Sequence, residues 1–487
     1  MKPDLIERLK RWLAPLGEDL PPLYLVGGAL RDRFMGRPVK DIDLMCAAPE
    51  PLARRMAAHH GAALVSFLTK AEAPCFRVVR REDAGDVIDL VPLRGPDPEA
   101  DLMRRDFTIN AMAMAVGPRG RLGALLDPLG GRRDLAGRRI RAASATAFAD
   151  DPLRILRAVR FAAQLDFVMD EAMDALMARS APALAGVAGE RIWTELRALL
   201  TAPQAVLHLV RLDRVGALTV IFPEIAAMKG CTQNTHHHLD VWEHSLAALA
   251  ACEAILSAPE SHFGSSAPAV RSALAGDHRF SLLKLAVLLH DSGKPLQRRV
   301  DPASGRVFFH GHDRQGARLV KAVGERLRLS AREAAFVTAL TAHHMHILAL
   351  SDPSVRPATV LRWCRRLGDA CVAALILSMA DVAATRGPAA DPAWRQRHLS
   401  WAGRTVEEYL TVFKPRLEAP PLVTGRDLVG LGLAPGPELG RILAVIRDAQ
   451  QTEKIQTREA ALDMAAALCV RASAAAGSAV SRKPEPA

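Results

Sequence analysis

Between residues 23 and 140 the apolar positions come in short runs. "LYLV" (23–26) precedes two glycines, "DIDL" (41–44) alternates, and "CFRVV" (75–79) and "VIDLV" (87–91) are rich in strand formers, with Gly, Pro and Asp clusters between them. Period-two alternation broken by turn residues predicts a small sheet. Near residue 145 the texture changes. From Asp150 to about Leu350, apolar residues recur at i, i+3 and i+4 through Ala/Leu-rich stretches, which predicts long helices. The Ser/Ala/Pro-rich stretch 257–275 reads as a loop, and 383–392 as a linker before two or three further helices. The last residues, "SAVSRKPEPA", read as disordered. No apolar run approaches the roughly 18 residues that span a bilayer; candidates such as Phe280 to Leu289 stop at charge, so no membrane partner is expected. The expected fold class is α+β: a small mixed sheet with helices, then an extended all-α body without internal repeats.

Composition bounds this picture. A chain of 487 residues, 49% of them hydrophobic, is long enough for about three domains and excludes a wholly disordered protein. The N-terminal "MKPDLIERLKRW" is too charged for a secretory signal, which predicts a cytoplasmic protein. Seven scattered cysteines, none in CxxC spacing, argue for reduced thiols and against a disulfide or zinc-thiolate framework. The net charge of +11 fits a polyanionic partner and fits an arginine- and alanine-rich coding bias equally.

Three features of the first region bear on chemistry. Asp41 and Asp43 stand at i and i+2 of a strand-like run, so both carboxylates share one face while Ile42 and Leu44 face the core. Adjacent carboxylates repel unless a cation lies between them, and hard Mg²⁺ prefers oxygen ligands. A solvated strand face is the plainer reading of the pair alone. Asp89 in "VIDLV" is a candidate third ligand or an ordinary surface aspartate. Gly27-Gly28 before "ALRDRFMG" would let backbone N–H groups approach phosphate oxygens, with Arg31 on the first helical turn. Neither GxGxxG nor GxxxxGK[ST] is present, which excludes the Rossmann and P-loop readings.

Taken in order, "GGALRD", "DID", "RRDFTINAMAM" (104–114) and "DDPLRILRAVRFA" (150–162) resemble the class II tRNA nucleotidyltransferase and bacterial poly(A) polymerase family. "TGRDLVGLGLAPGPELGRIL" (424–443) resembles that family's tail. The resemblance implies a polymerase-β-like nucleotidyltransferase head over residues 1–145, a helical neck over 146–228, a body over 229–390, a tRNA-binding tail over 391–472 and a disordered end over 473–487. It implies that Asp41 and Asp43 hold two Mg²⁺ ions, one activating the RNA 3′-hydroxyl and both steadying the triphosphate. Gly27, Gly28, Arg31 and Asp32 would cradle or brace that triphosphate. Arg105 would contact the nucleotide, and Asp106 and Asn110 would order the ribose and the joint with the neck. Asp151 with Pro152 is a good helix start by itself. Capping does not require Arg154, Arg157 and Arg160 at every third position, however. In the family the matching aspartate and first arginine read the base edge, which assigns Asp151 and Arg154 to the base and Arg157 and Arg160 to phosphate or neck contacts. "GERIWTEL" (189–196) matches a further neck motif of structural character.

The body carries a second set. "HHHLDVWEHS" (236–245), "LLHDSGKP" (288–295), "HGHD" (310–313), "AHH" (342–344) and "SMADVAAT" (378–385) resemble the HD-domain metal phosphohydrolases. His244, His290, Asp291 and Asp381 match the ligand series, and His312 and His343 are candidates for a second ion. A carboxylate such as Asp381 inside an apolar helix is costly without a cation or partner. The implied cofactor is a divalent transition metal (Ni, Mn, Fe or Co), and the implied activity is a phosphatase or 2′,3′-cyclic phosphodiesterase on RNA ends.

Three functions compete: addition of CCA or CC from CTP and ATP to tRNA, with poly(A) synthesis as its variant; an HD hydrolase with a binding-only head; and a non-catalytic RNA-binding protein. The intact carboxylate pair counts against the second, and both intact sites count against the third. Residues 64–79 hold no basic run, which favours tRNA over mRNA tails. Only "GPDPEA" (95–100) separates "LVPLR" from "DLMRRDF", whereas family members that add the final A generally have a longer loop in this region. Terminal A addition is therefore in doubt.

Overall fold

The computed structural model describes residues 4–68, 74–80 and 86–480. The chain forms two units, Met1–Ala227 with Glu325–Leu329, and Met228–Gly324 with Ser330–Ala487.

The first unit is built on a seven-stranded sheet. Its strands are β1 (Tyr24–Val26), β2 (Ile42–Cys46), β3 (Ala63–Leu68), β4 (Pro74–Val79), β5 (Val87–Pro92), β6 (Ala113–Val116) and β7 (Leu122–Leu126), in the order β3-β4-β5-β2-β1-β6-β7. Only β2 and β5 pair in parallel; the other neighbours are antiparallel. The strand alternation seen in the sequence sets the faces: Ile42, Leu44, Ile88 and Leu90 are fully buried. The opposite face carries one cross-strand row, Arg77 on β4, Asp89 on β5, Asp43 on β2 and Val26 on β1, because directly opposed residues share a face. The helix Pro98–Met103 is capped by Asp97, whose carboxylate accepts from Ala100 N at 2.8 Å, and its Leu102 packs with Val26 and Met45 on that face.

From residue 147 the first unit is almost wholly helical. The helix Arg154–Leu165 buries Ile155, Leu156, Ala158, Val159, Phe161, Ala162 and Leu165 and packs against the helix Gly189–Thr201. Asp151 does not cap it directly. The helix begins at Arg154, and the Asp151 carboxylate accepts from Leu153 N at 3.2 Å in the preceding turn.

In the second unit the helices Val241–Ser257, Arg279–Leu289, Ala331–Leu350 and Cys371–Ala384 pack on one another. Three sequence expectations change here. Residues 257–275, expected as a loop, form the helices Glu260–Phe263 and Ala267–Ala275 joined by a 3₁₀ turn, because proline in a first helical turn loses no hydrogen bond. The linker expected at 383–392 is present as the non-helical stretch 385–391 before the helix Pro392–Glu408, and it is pinned: Gly387 N and Ala389 N donate to His236 O and Thr235 O at 2.7 and 3.0 Å. The stretch Pro357–Ala384 is long and apolar enough to cross a membrane by length and composition, contrary to the sequence reading, but 83% of its apolar window is buried inside the fold. It is core helix. The C-terminal helices Pro437–Gln451 and Arg458–Val480 pack around Ile442, Ile446 and Ala461, so helix continues past residue 473, where disorder was expected; residues 481–487 lie outside the described set.

Candidate functional site

In the first unit, the turn after β1 and the start of the next helix frame a cavity of about 600 Å³. Gly27, Gly28, Arg31, Asp43, Arg105, Asp106, Asn110, Asp151, Arg154, Arg157 and Arg160 line it, so eleven of the residues assigned from sequence meet in one place. Gly27 has φ +70, and a Cβ there would lie 3.3 Å from Asp43 Oδ2 and 3.5 Å from Arg105 Nη1. A side chain would both strain the turn and fill the space beside the carboxylate.

Asp43 is raised to about 6 by burial first, then by the neighbouring charges of Asp89 and Asp41, against the pull of Arg105. A carboxylate held this way favours a cation beside it. Asp41 sits just before β2 and is exposed. Asp89 stands opposite Asp43 in the sheet, yet both its oxygens accept from Arg77, Oδ1 from Nε at 2.8 Å and Oδ2 from Nη2 at 2.7 Å. Like Asp41, it does not line the cavity, and the candidate third ligand is a carboxylate already paired with a guanidinium. Asp32 also lies off the cavity and braces Arg31 at 2.9 Å. Two carboxylates suit Mg²⁺, which completes its shell with water and substrate phosphates.

A hydrogen-bonded chain joins the sheet to the arginine helix. Arg31 donates to Asn110 Oδ1 (2.9 Å), Asn110 Nδ2 donates to Asp106 Oδ1 (3.1 Å), and Arg157 Nε donates to Asp106 Oδ2 (3.0 Å). Burial alone would raise Asp106, but Arg157 and these donors hold it down at about 2. Arg160 pairs with buried Glu195 at 2.6 Å, and Arg31, Arg157 and Arg160 surround the Phe161 ring at 5.1, 5.4 and 4.1 Å. Arg157 and Arg160 thus make neck contacts. Arg154 is held by Ala147 O and Arg104 O at 3.1 and 2.8 Å, and Asp151 is gripped by Arg191 at 2.9 Å. The sequence reading missed Arg191 and Glu195, although both stand in "GERIWTEL" one helical turn apart, facing the arginine helix.

The second unit holds a buried cluster. His244, His290 and Asp381 form one set of three converging ligand atoms, and Asp291, His312 and His344 form another, each within 4.8 Å. His244 Nε2 lies 2.9 Å from Asp381 Oδ1, His290 Nε2 3.2 Å from Asp291 Oδ2, and His312 Nε2 and His344 Nε2 lie 3.4 and 3.6 Å from Asp291 Oδ1. The Nδ1 atoms of His290, His312 and His344 meet the carbonyls of Val287, Phe309 and Thr341 at 2.7–2.8 Å. That contact requires Nδ1–H and leaves each Nε2 as a lone pair aimed at the centre, the tautomer a metal needs. His290 Nε2 and Asp291 Oδ1 are buried without a hydrogen-bond partner among the described residues. Burial would push Asp291 and Asp381 up, yet cationic His290 and Lys294 beside Asp291, and cationic His244 and His290 beside Asp381, hold both well below the usual carboxylate range, so the centre favours positive charge, which a metal would supply in place of the ring protons. Donor set and field fit divalent metal. Gly293 permits the geometry: a Cβ there would lie 2.1 Å from His312 O.

His343 is corrected to His344. On the helix Ala331–Leu350 the buried stripe runs Val337, Leu340, Thr341, His344, Ile347, and His343 falls beside it, half-buried and pushed down by burial and by His346. Helical spacing in the sequence contained that signal. Lys294, which donates to Asp291 Oδ2 at 2.6 Å, and His237, whose ring stands 4.8 Å from that of His244, were quoted in motifs without a role.

Fold and sites together define a nucleotidyltransferase head joined to an HD domain. Family models agree on the parts: a poly A polymerase head domain matches residues 23–141, a probable RNA- and SrmB-binding site of polymerase A matches 166–229, and an HD domain matches 241–385. An A-adding tRNA nucleotidyltransferase of Deinococcus radiodurans is 35% identical over 457 residues, 92% of this chain and 95% of the relative. A CC-adding tRNA nucleotidyltransferase of Thermus thermophilus is 33% identical over 444 residues, 90% of this chain and 92% of the relative. The structure of a Thermotoga maritima CCA-adding enzyme complexed with tRNA shares the fold at a TM-score of 0.60 and 20% identity, covering 96% of each chain. The chain belongs to the tRNA nucleotidyltransferase family.

Proposed function

We propose that this chain extends the 3′ end of tRNA with nucleotides drawn from CTP and ATP, working at the cavity of the first unit. The observation that carries the reading is that the glycine turn, Asp43 and Arg105 line the same space as Asp151 and Arg154. Magnesium, held by Asp41 and Asp43, would supply Lewis acidity at the triphosphate and the attacking hydroxyl. Gly27 lets the backbone approach the phosphates, and Arg31 and Arg105 offset their charge. Asp151 accepts from the exocyclic amine common to C and A, and Arg154 donates to ring acceptors, with Arg191 aiming the carboxylate. The RNA 3′-oxygen bonds to the α-phosphorus, the bond to pyrophosphate breaks, and the hydroxyl proton passes to solvent.

The converging four-histidine, two-carboxylate cluster favours a second activity, hydrolysis of phosphate esters. Mn, Ni, Fe or Co suits such a ligand set and would supply an activated water.

Purified protein is given tRNA ending at the discriminator base, after one C and after both, with CTP, ATP or both. Incorporation at the discriminator end and again after the second C marks complete CCA addition, and incorporation at one of them alone marks a CC- or A-adding enzyme. The segment 95–100 folds as a short turn and capped helix, which makes the last addition the informative one. No incorporation under any condition would sink the reading.

A further inference from the structure

The helix Leu5–Leu13 comes before the sheet and lends no residue to the cavity of the first unit. It is nevertheless docked: Leu9, Trp12 and Leu13 are fully buried, and it packs against the turn Pro118–Gly120. One charged residue enters the interior with them. Arg8 is 2% exposed, and each of its three side-chain nitrogens donates at the entry to a strand. Nε donates to Asp86 Oδ1 at 3.0 Å, Nη1 to Val39 O and Lys40 O at 2.9 and 3.2 Å, and Nη2 to Val87 O at 3.4 Å.

Those acceptors are not scattered. Val39 and Lys40 stand directly before Asp41, and Asp86 and Val87 stand at the start of β5. β2 and β5 are the parallel pair of the sheet, with Ile42 opposite Ile88 and Asp43 opposite Asp89. Arg8 therefore ties together the two chain ends that lead into the carboxylates. From residue 37 to residue 41 the chain is neither helix nor strand, so no ladder sets where Asp41 stands. The charge of Arg8 is balanced by Asp86, whose other oxygen lies 3.7 Å from Arg11, and what Arg8 adds at Asp41 is geometry. Stability does not call for an arginine here. A buried ion pair gains little beyond its own desolvation, and apolar residues of similar volume often serve as well. What no apolar side chain supplies is a planar fork of donors that holds three carbonyls at once.

We propose that Arg8 is a positioning residue for nucleotidyl transfer: it fixes the main chain ahead of β2 and thereby sets where the Asp41 carboxylate stands for magnesium. The inference rests on the reading of Asp41 and Asp43 as the magnesium ligands. Magnesium demands near-ideal octahedral geometry, so a displaced carboxylate weakens it more than it weakens the larger, more tolerant Mn²⁺.

The test uses the full-length protein with tRNA and whichever of CTP and ATP the parent incorporates. Arg8→Lys keeps the charge beside Asp86 and loses the fork. It is expected to raise the Mg²⁺ concentration for half-maximal incorporation about tenfold, the scale of removing a support from behind a metal ligand. Mn²⁺ in place of Mg²⁺ is expected to recover most of the loss. Hydrogen exchange read by mass spectrometry gives a measure apart from activity: the amides of residues 39–43 should exchange faster than in the parent, and those of β6 and β7 should not change. Arg8→Met combined with Asp86→Leu replaces the ion pair by apolar side chains. That variant should keep the urea unfolding midpoint and show the same magnesium shift. An unchanged magnesium requirement in both variants overturns the inference. So does a loss that Mn²⁺ leaves in place and that follows the unfolding midpoint, which would make Arg8 a clamp on the fold alone. Asp41→Ala separates the inference from the reading beneath it. No incorporation by the parent, or full incorporation by Asp41→Ala, sinks that reading and the inference with it. Lost incorporation in Asp41→Ala beside an unchanged Arg8→Lys curve overturns only the role of Arg8.

Discussion

The two sites of this protein handle charge in opposite ways. In the first unit, exposed Asp41 precedes β2 and half-buried Asp43 lies on it, and arginines that line the cavity or brace it far outnumber them. Most of those arginines are already tied: Arg157 to Asp106, Arg160 to Glu195, Arg77 to Asp89. In the second unit, six ligands converge in the interior, and three imidazoles are locked by backbone carbonyls. The first site is incomplete until a triphosphate arrives with its own negative charge and further oxygen ligands. The second is a converging set of buried ligand atoms whose cost of burial a cation would offset. A polymerizing site must release and rebind a charged substrate at each cycle, whereas a hydrolytic metal centre can keep its ions.

The sharpest way to break this contrast is to remove one carboxylate from each site. Asp43→Ala is expected to lower nucleotide incorporation about a thousandfold or more while metal content, read by mass spectrometry, stays at the parent level. Asp291→Ala is expected to empty the second centre and leave incorporation unchanged. Loss of both properties from either variant, with the fold intact by circular dichroism, would merge what are described as two sites. Next in size, His344→Ala should weaken binding of one of two ions about a hundredfold, seen as a drop in stoichiometry on titration with Mn²⁺. His343→Ala should leave the stoichiometry alone.

The arginine network gives smaller effects. Because folding depresses Asp106 to about 2 from the ordinary 3.8, its contribution is full above the unfolded value and is lost as pH falls from about 4 to 2. That difference corresponds to about 2 kcal/mol, so Asp106→Asn should flatten the acid limb of the stability curve measured by urea unfolding. An unchanged acid limb would show that Arg157 does not hold Asp106 in solution. Smallest, Arg191→Ala frees the Asp151 carboxylate and should reduce discrimination against GTP and UTP about tenfold in kcat/KM, the scale of one charge-assisted hydrogen bond, with unfolding midpoints little changed.

Much of the first site was legible because its chemistry is local. The i, i+2 spacing of Asp41 and Asp43 with buried Ile42 and Leu44 sets the strand face, and the left-handed turn at Gly27 needs a glycine wherever the strand leads. The helices of the body and the stripe that carries His344 follow from periodicity as well, and His343 lies one position off that stripe. Long-range pairing was not legible. Asp89 is as good a ligand as Asp43 by residue type and strand position, and only its register opposite Arg77 on β4 takes its oxygens away. Residues 257–275 had the composition of a loop and became helix because they pack on their neighbours, Phe263 and Val270 being buried.

The sequence by itself determined which residues could donate, accept, ligate or turn the chain, since those properties belong to single side chains and short spacings. Tertiary structure alone decided which of them are already satisfied by another part of the chain and which are left facing a cavity. Satisfaction is a matter of distances between residues far apart in sequence, and no local rule contains it.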